Sequence, residues 1–407
     1  MSSRRDAPPS VGERAAVLER TRTRKMARSP HAYVRGNTAQ FYEWLRSERG
    51  NDIPDGPAVW ICGDCHIGNL GPVADANGRI RIHIRDLDQT VIGNPSFDIV
   101  RLALSLASSI RGSNLPGVTT ARMLESVMGG YQSAFQPDFE QREAQETPEA
   151  VHVVMKRAST RTWKHLAKER LEGTRPDIPL GKRFWPVSDE EREAIVRLFE
   201  DPSISQLATM VKGRKDDAEV EVIDSAYWLK GCSSLGLLRY AVLVSVTDEA
   251  THSNDLCLMD VKEAIDSAAA GAGSPDFPGA NAERVVAGAL QLSPFLGERM
   301  RPARLLDRSV FIRELLPQDL KLEMDTLTVD EAVNVGEFLG HVVGRAHARQ
   351  MSSETRRQWH TELTRDQSED LDAPSWLWSA VVGLLVSHEE TYLEHCRRYV
   401  LPDSDSD

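Results

Sequence analysis

Residues 62–69 read CGDCHIGN, and this stretch places two cysteines, an aspartate, a histidine and an asparagine within eight positions. Residues 74–86 read ADANGRIRIHIRD, where an Asn-Gly turn is followed by isoleucines that alternate with arginine or histidine. This alternation predicts a half-buried strand of a hairpin. A short apolar strand, 58–62, is predicted to lead into the motif, and a helix is predicted to begin near Pro95 and Ser96. Further helices are predicted over 29–48, over 188–199 with a capping box of Ser188 and Glu191 at its start, and over 281–292.

The two cysteines permit a first interpretation, because Cys62 and Cys65 have the C-x-x-C spacing of zinc sites and thiol redox motifs. A structural zinc site needs about four ligands, and the sequence contains no second C-x-x-C or H-x-x-H pair. A redox motif is expected to open a helix of a βαβ unit, whereas a hairpin is predicted here. We therefore interpret both thiols as small core residues.

A second interpretation uses Asp64 and His66, which form a D-x-H pair of the kind found in two-metal phosphatases. Such sites need several further His and Asp ligands around two metal ions. His83 is the one nearby candidate, and it lies on the alternating strand beside arginines. The sequence therefore favours this interpretation less than the next one.

The third interpretation is phosphoryl transfer, in which an aspartate, an asparagine five positions later and a further aspartate after a hairpin act together. In that chemistry Asp64 would accept or orient the proton of an attacking hydroxyl. Asn69 and Asp86 would bind Mg²⁺, which prefers hard oxygen ligands. We include His66 among the candidate catalytic residues, either as a group that orients Asp64 or a phosphate, or as one that only satisfies a backbone carbonyl.

The same residues resemble the HGDxxxxN loop of aminoglycoside phosphotransferases and other kinase-like small-molecule kinases, with Cys62 in place of their histidine. IRDLDQTVIGNPSFDIVRLAL (84–104) is similar to their IDFGDxxxGDPxxDLA segment. The resemblance implies that Asp86 is the metal aspartate, that Asp88 assists at the metal, and that Asp98 buttresses the loop. The dipeptide after Asp86 is Leu-Asp here, in place of the usual Phe-Gly.

Four segments together resemble, more closely, a bacterial family catalogued as domain of unknown function 2252. They are KMARSPHAYVRG (25–36), GDCHIGNLG (63–71), DLDQT (86–90) and GRAHAR (344–349). The resemblance spans most of residues 25–350. It implies a kinase-like fold and brings no established substrate.

The nucleotide-binding parts that a kinase needs are found after the motif. LKGCSSLGLLRYAVLVSV (229–246) predicts two strands and a glycine-bracketed turn, whose N–H groups and hydroxyls could hold phosphate oxygens. Lys262, in LCLMDVKEA, resembles the V-A-I-K lysine, with Glu283 in the next helix as its partner. SVFIREL (309–315) resembles the strand that leads to the adenine-holding hinge. The candidate nucleotide-binding residues are Gly231, Ser233, Ser234, Gly236, Lys262, Glu283, Glu314 and Leu316.

Strands are predicted in two clusters, 58–92 and 227–316, surrounded by helices, which is an α+β pattern. The long predicted helix 329–350 resembles the helix that normally runs directly into HGDxxxxN, although the motif lies far upstream. We therefore predict a protein-kinase-like two-lobed fold that is circularly permuted, since chain termini often lie close together. The predicted parts are 1–114 (catalytic and metal loops of the large lobe), 115–220 (helical insertion), 221–320 (small nucleotide-binding lobe) and 321–407 (helical remainder of the large lobe).

Composition and net charge indicate the class of protein to which the chain belongs. The 407 residues carry a net charge of -12 and are 41% hydrophobic, which is typical of a soluble globular protein and argues against a general nucleic-acid binder. The longest apolar run, 376–386, is too short for a membrane span, and no signal peptide is recognised. Five cysteines without regular spacing indicate reduced thiols, so we expect a cytoplasmic protein. Residues 1–35, with nine basic and three acidic side chains, are interpreted as a frayed, solvated start.

The predicted function is ATP- and Mg²⁺-dependent transfer of a phosphoryl group to an unidentified hydroxyl of a small molecule or protein. Nucleotidyl transfer on the same scaffold, with the nucleotide reversed, is one alternative. A nucleotide-binding pseudokinase that senses or scaffolds is another. The expected partners are a nucleotide and the acceptor, with no nucleic acid and no membrane. The basic stretch 156–170 is either a contact surface for the acceptor or an ordinary solvated helix face.

Overall fold

A computed structural model of the chain gives the fold. It describes residues 8–47, 50–111, 118–136, 147–160, 177–231, 235–248, 253–269, 271, 278–316, 328–365 and 373–399. The mixture of helices and sheets confirms the α+β class. Among the described helices, none combines the length and the apolar character that a bilayer crossing requires.

One half of the fold is a six-stranded antiparallel sheet with the strand order β5-β6-β7-β8-β10-β9. Its strands are β5 (Phe184–Trp185), β6 (Glu219–Trp228), β7 (Arg239–Asp248), β8 (Ser253–Glu263), β9 (Met300–Leu305) and β10 (Arg308–Leu315). Strand β7 is buried over most of its length, because both faces of the sheet are covered by other parts of the chain. Such central strands are rich in Val and Leu for this reason.

The other half is helical and carries two small hairpin-like pairs, β1 (Val59–Ile61) with β4 (Val91–Gly93) and β2 (Leu70–Ala74) with β3 (Ile80–Ile84). The helices of the chain are α1 (Arg14–Met26), α2 (Pro30–Gly36), α3 (Thr38–Leu45), α4 (Ser96–Arg111), α5 (Val118–Ser133), α6 (Glu149–Thr160), α7 (Asp189–Phe199), α8 (Pro202–Thr209), α9 (Asn281–Leu292), α10 (Pro294–Gly297), α11 (Val329–Ala348), α12 (Ser353–Thr364) and α13 (Ser375–Tyr399). The predicted strand at 58–62, the hairpin, the start of α4 and the helix 281–292 are thereby confirmed.

Helices α5 and α11 pack at very close range because glycines replace side chains along their contact. A Cβ atom on Gly130 would lie 1.9 Å from the carbonyl oxygen of Glu337, and one on Gly340 would lie 2.1 Å from that of Val127. Helix α5 was predicted to belong to an insertion, yet its buried residues lie in the same core as those of α4 and α11. Helices α7 and α8, from the same predicted insertion, pack instead on the sheet. The segment 115–220 is therefore divided between two cores.

Two local predictions were wrong. Residues 29–48 were predicted as one helix, but α2 ends at Gly36 and α3 begins at Thr38, because the side chain of Asn37 caps the second helix by accepting from Gln40 N. The chain start was interpreted as frayed, but α1 is a helix whose Leu18 is buried in the core of the sheet side. Arg14 of that helix makes a buried ion pair of 2.6 Å with Glu191. The predicted capping box of Ser188 and Glu191 at the start of α7 is confirmed.

The two halves meet along the segment that follows β3. Two arginines donate to backbone carbonyls of this segment, Arg313 to Arg85 (3.0 Å) and Arg284 to Asp88 (3.0 Å), and Arg299 donates to Ala74 at the end of β2 (3.1 Å). Each bond gives a buried or half-buried guanidinium a neutral acceptor, which removes part of the cost of its burial. These contacts place Asp86 and Asp88 directly against the sheet.

Candidate active site

Asp98, in the first turn of α4, holds the 62–69 loop in place through hydrogen bonds. Its fully buried carboxylate accepts hydrogen bonds from Cys62 N (2.6 Å) and Gly63 N (3.0 Å). Nε2 of His347 on α11 lies 3.1 Å from the same carboxylate. Gly63 has φ +76°, and a Cβ there would lie 2.1 Å from the carbonyl oxygen of Gln89, so only glycine fits. Asp98 therefore supports the loop, as the resemblance implied.

Asp64 is buried and paired with a guanidinium that the sequence analysis did not select. Nε and Nη2 of Arg101 both lie 2.9 Å from Oδ1 of Asp64, and Arg101 itself is fully buried. Burial raises the pKa of Asp64 above its ordinary value, although the charge of Arg101 opposes this. A carboxylate in these surroundings can accept a proton more readily than one in water.

Asn69 lies at the end of the same loop, in a 3-10 turn that runs directly into β2. Its amide nitrogen donates to the backbone carbonyl of Asp64 at 2.9 Å. The amide oxygen is thus the atom of this side chain that can bind a cation. The bond also keeps the spacing between Asp64 and Asn69 fixed, which a shared metal and acceptor site requires.

Lys262, on β8, reaches the two carboxylates that follow β3. Its Nζ lies 3.4 Å from Oδ1 of Asp86 and makes a closer ion pair with Oδ2 of Asp88. Lys262 is only 4% exposed, and these two carboxylates compensate for the burial of its ammonium group. Residues separated by 176 positions in the sequence therefore meet in one cluster.

The two carboxylates of this cluster titrate differently. Burial alone would raise the pKa of Asp86, but the positive charge of Lys262, helped by more distant arginines, holds it below its ordinary value. Burial and the neighbouring Asp86 charge raise the pKa of Asp88 to about 6, against the opposing effect of Lys262. The pKa values of two close carboxylates that share a cation move apart in this way, because the charge of the first makes ionisation of the second less favourable.

Asp64, Asn69, Asp86 and Asp88 line one small cleft between the two halves, with a volume of about 40 Å³. Its lining consists of Asp64, Asn69, Asp86, Asp88, Gln89, Leu237, Glu263 and Ile265. Four of the eight side chains are carboxylates and two are carboxamides, which is the hard oxygen donor set that Mg²⁺ takes. The residues present thus fit a magnesium ion on the chemistry of their donors.

One predicted contact, the pairing of Lys262 with Glu283, was wrong. Glu283 is exposed on α9, and Lys262 pairs with Asp86 and Asp88 instead. Glu314 is paired in register with Met259, so its side chain lies on the face of the sheet opposite to Lys262, where Oε1 is 2.9 Å from Arg214. Side chains alternate between faces along a strand, and this alternation removes the Glu314 carboxylate from the cleft.

The remaining nucleotide candidates lie around the turn that joins β6 and β7. Gly231 and Gly236 have φ values of +90° and +106°, which favour glycine. Leu237, just after the turn, lines the cleft, and Leu238 N donates to Oε2 of Glu263 at 2.8 Å. Ser233 and Ser234 lie outside the described residues. Leu316, directly after β10, is buried, and the hinge around Glu314 to Leu316 stays a prediction.

The cysteine interpretation is not supported by the local chemistry. Cys62, Cys65 and Asp98 have potential ligand atoms within 4.8 Å of one another, and all three are buried. Both carboxylate oxygens of Asp98 already accept hydrogen bonds. A hydrogen bond with Cys65 and burial raise the pKa of the Cys62 thiol, which disfavours the thiolate that a metal needs.

The D-x-H interpretation also lacks its third ligand. His83 lies in a separate pocket that includes Arg81, Arg345 and Arg349 in its lining, and its ring packs on Phe295 at 4.9 Å. Burial, with the positive charges of Arg349 and Arg345, lowers the pKa of His83 to about 3. His66 remains beside Asp64, with its Nε2 3.9 Å from Oδ2 of Asp64.

Sequence reasoning missed two arginines that shape the site, Arg101 and Arg284. Arg284 on α9 donates to the backbone carbonyls of Asp88, Thr90 and Ile265. Both arginines could have been noticed in the sequence, since each is a charged residue on the otherwise apolar face of a predicted helix. Arg101 stands three positions after Asp98, on the same helix face.

Comparison with known families matches residues 14–398 to a family described as an uncharacterized protein conserved in bacteria, DUF2252. The chain belongs to this family. The match covers nearly the whole of the described fold and confirms the family resemblance seen in the sequence. Searches of curated proteins and of solved structures gave no match.

Proposed function

We propose that this DUF2252 protein is an ATP- and Mg²⁺-dependent phosphotransferase with a circularly permuted kinase-like fold. One observation carries the proposal: Lys262 of the sheet contacts Asp86 and Asp88, which follow the Asp64–Asn69 loop. A kinase needs a lysine for the nucleotide phosphates opposite a metal-binding aspartate. A permuted kinase requires the two groups to lie within reach of one nucleotide, and the 3.4 Å between Lys262 Nζ and Asp86 Oδ1 supports this.

The arrangement of the sheet supports the kinase-like part of the proposal. Strands β6, β7, β8, β10 and β9 are neighbours in that order, and α9 lies between β8 and β9 in the chain. The glycine-bearing turn thus joins the first two strands, the lysine lies on the third, and a helix follows it. These features follow one another as the resemblance implies for a nucleotide-binding lobe.

The position of α11 supports the permutation. Gln350, two residues beyond the end of α11, accepts from Trp60 N (2.7 Å) and donates to Trp60 O (3.0 Å). Trp60 lies on β1, which leads directly into the 62–69 loop. The end of α11 and the entry to the loop are therefore adjacent in space although they are distant in sequence, as expected if the chain were cut between them.

Each residue has a role in this proposal that its surroundings allow. Asp64 takes the proton of the acceptor hydroxyl, since it lines the cleft and burial raises its pKa. Asn69 and Asp86 would hold Mg²⁺, and Asp88 would assist as a further carboxylate ligand. Lys262 exchanges its carboxylate partners for phosphate oxygens. Bound Mg²⁺–ATP supplies the phosphoryl group, and a bond from the γ-phosphorus to the acceptor oxygen replaces the bond to ADP.

The test is thermal stabilisation by ATP with and without Mg²⁺, in the parent and in Asp86→Asn. We expect stabilisation that requires Mg²⁺ in the parent and loss of the Mg²⁺-dependent part in Asp86→Asn. Asp330→Asn is the matched control, because the Asp330 side chain is 82% exposed at the start of α11. Equal Mg²⁺-dependent shifts in the parent and Asp86→Asn, or none in the parent, would refute the proposal.

Product analysis by mass separates the alternatives on the same scaffold. Release of ADP with a phosphorylated acceptor supports phosphoryl transfer. Release of pyrophosphate with an adenylylated product would identify nucleotidyl transfer instead. Metal-independent nucleotide binding without turnover would identify a sensor or scaffold.

A further inference from the structure

An arginine of α2 lies against the 62–69 loop, beside the candidate catalytic residues. A Cβ atom built on Gly68 would lie 2.6 Å from Nη2 of Arg35, 2.8 Å from its Cζ and 3.0 Å from Cε1 of His66. Gly68 therefore leaves the space that the guanidinium occupies. The guanidinium of Arg35 and the ring of His66 therefore both lie beside Gly68.

The charge of Arg35 is not balanced by a carboxylate in the described structure. The other arginines near the cleft have partners there, such as Asp64 for Arg101 and Asp260 for Arg239. In the described residues Arg35 makes no ion pair, and its Nε is buried without a hydrogen-bond partner. An unpaired, half-buried guanidinium is costly unless a ligand completes it.

His66 adds a second unsatisfied polar group at the same place. The residue is 5% exposed, and its Nδ1 has no hydrogen-bond partner. Its Nε2 lies 3.9 Å from Oδ2 of Asp64. Burial and the positive charges of Arg35 and Arg101 hold the pKa of His66 well below its ordinary value, so the ring is neutral at pH 7. A neutral imidazole retains one N–H donor.

We propose that Arg35 and His66 form an anion-binding subsite that selects the acceptor. The acceptor is then a hydroxyl compound that carries a carboxylate or phosphate group close to the reacting hydroxyl. This inference rests on the proposed phosphotransferase function, because Asp64 has to receive that hydroxyl. The short path from Asp64 through His66 to Arg35 limits the acceptor to a small molecule in which both groups are a few bonds apart. Arg35 is suited to the anion because its planar fork binds carboxylate or phosphate in two bonds.

The test measures binding of inorganic phosphate and, separately, of acetate to the protein without nucleotide, by calorimetric titration. We expect Arg35→Met to weaken binding of the preferred anion at least tenfold. Arg35→Lys should retain part of the affinity, because it keeps the charge and loses the fork. Preference for phosphate over acetate would indicate a phosphate ester as acceptor, and the reverse would indicate a hydroxy acid.

The matched control is Arg304→Met, because the Arg304 side chain is 75% exposed on β9. This variant should bind both anions like the parent. Circular dichroism of each variant checks that it is folded, and Arg35→Lys provides the conservative second variant. Equal anion binding by the parent and Arg35→Met, or no binding by the parent at millimolar anion, would overturn the subsite.

The experiments distinguish a failure of the anion subsite from a failure of the phosphotransferase function. Arg35→Met should keep the Mg²⁺-dependent stabilisation by ATP, since Arg35 is not among the residues that line the cleft of Asp86 and Asp88. Arg35-dependent anion binding without an ATP effect would refute the phosphotransferase function alone. An ATP effect together with Arg35-independent anion binding would refute the acceptor subsite alone.

Discussion

Arg101 is the residue on which the charge of the 62–69 loop depends. Its guanidinium bonds Oδ1 of Asp64 at 2.9 Å and the carbonyl of Val34 at 2.7 Å, and it lies over the ring of Phe41 at 5.1 Å. The positive charge of this guanidinium opposes the rise in the pKa of Asp64 that burial causes, and its bond to Val34 connects α2 with α4. The carboxylate proposed to act in catalysis is thus fixed by a residue that does not itself line the cleft.

At this scale we predict that Arg101→Met will destabilise the protein by about 3–5 kcal/mol, because it leaves a buried carboxylate without its partner. Urea unfolding of Arg101→Met, Asp64→Asn and the double variant measures this. The double variant should lose less stability than the sum of the single losses, since the two groups interact directly. Strictly additive losses, or a loss below about 1 kcal/mol in Arg101→Met, would contradict the interpretation.

At the scale of secondary-structure elements, the packing of α5 against α11 decides how the helical half is built. Gly130, Gly340 and Gly344 bring the two backbones together, and Ala134 and Tyr131 fill the contact at Gly344. Because α11 also carries His347, which contacts Asp98, this packing positions the support of the loop. The helix pair is therefore part of the framework of the site.

The adjacent glycines of α5 allow a matched prediction. Gly130→Ala places a Cβ 1.9 Å from the Glu337 carbonyl, and we expect a loss of about 1–3 kcal/mol from the forced shift of the helices. Gly129→Ala meets no atom within 4 Å, and its lower backbone entropy in the unfolded chain should stabilise the helix by up to about 1 kcal/mol. Thermal unfolding of the two variants compares them, and effects of the same sign would show that the close contact is not formed.

At the scale of the whole molecule, buried neutral histidines make stability depend on pH. His388 on α13 is 2% exposed, and Nδ1 lies 2.9 Å from the carbonyl oxygen of Leu384. Burial and the charge of Arg101 lower the pKa of His388 to about 4, whereas an unfolded histidine titrates near 6.5. Below pH 6.5 the unfolded state binds a proton that the folded state does not, so stability falls as the pH falls.

We therefore predict that His388→Leu will reduce the loss of stability between pH 7 and pH 5. The contribution of one such histidine over this range is about 2 kcal/mol, because each pKa unit corresponds to about 1.4 kcal/mol. Urea midpoints of the parent and the variant at both pH values give the difference. Parallel falls in the two proteins would show that His388 is protonated in the folded state or does not titrate there.

The local elements and the short-range motif could be predicted from adjacent residues. The Asn-Gly hairpin, the start of α4 and the capping box of α7 depend on backbone preferences and on side chains a few positions apart. The sequence also predicted that Asp64, Asn69 and Asp86 lie close together, because only one loop and one hairpin connect them. Hydrophobic periodicity and helix capping depend on residues within one or two turns of each other, so both can be recognised from a short stretch of sequence.

The contacts between residues that are distant in sequence became known only from the fold of the whole chain. It paired Lys262 with Asp86 and Asp88 and left Glu283 in solvent, and strand register turned Glu314 to the far face of the sheet. Ion pairing and register depend on which surfaces are buried against each other, and a sequence pattern constrains this only through the fold as a whole. The unpaired charge of Arg35 became visible for the same reason, since only packing shows which partners a buried guanidinium has.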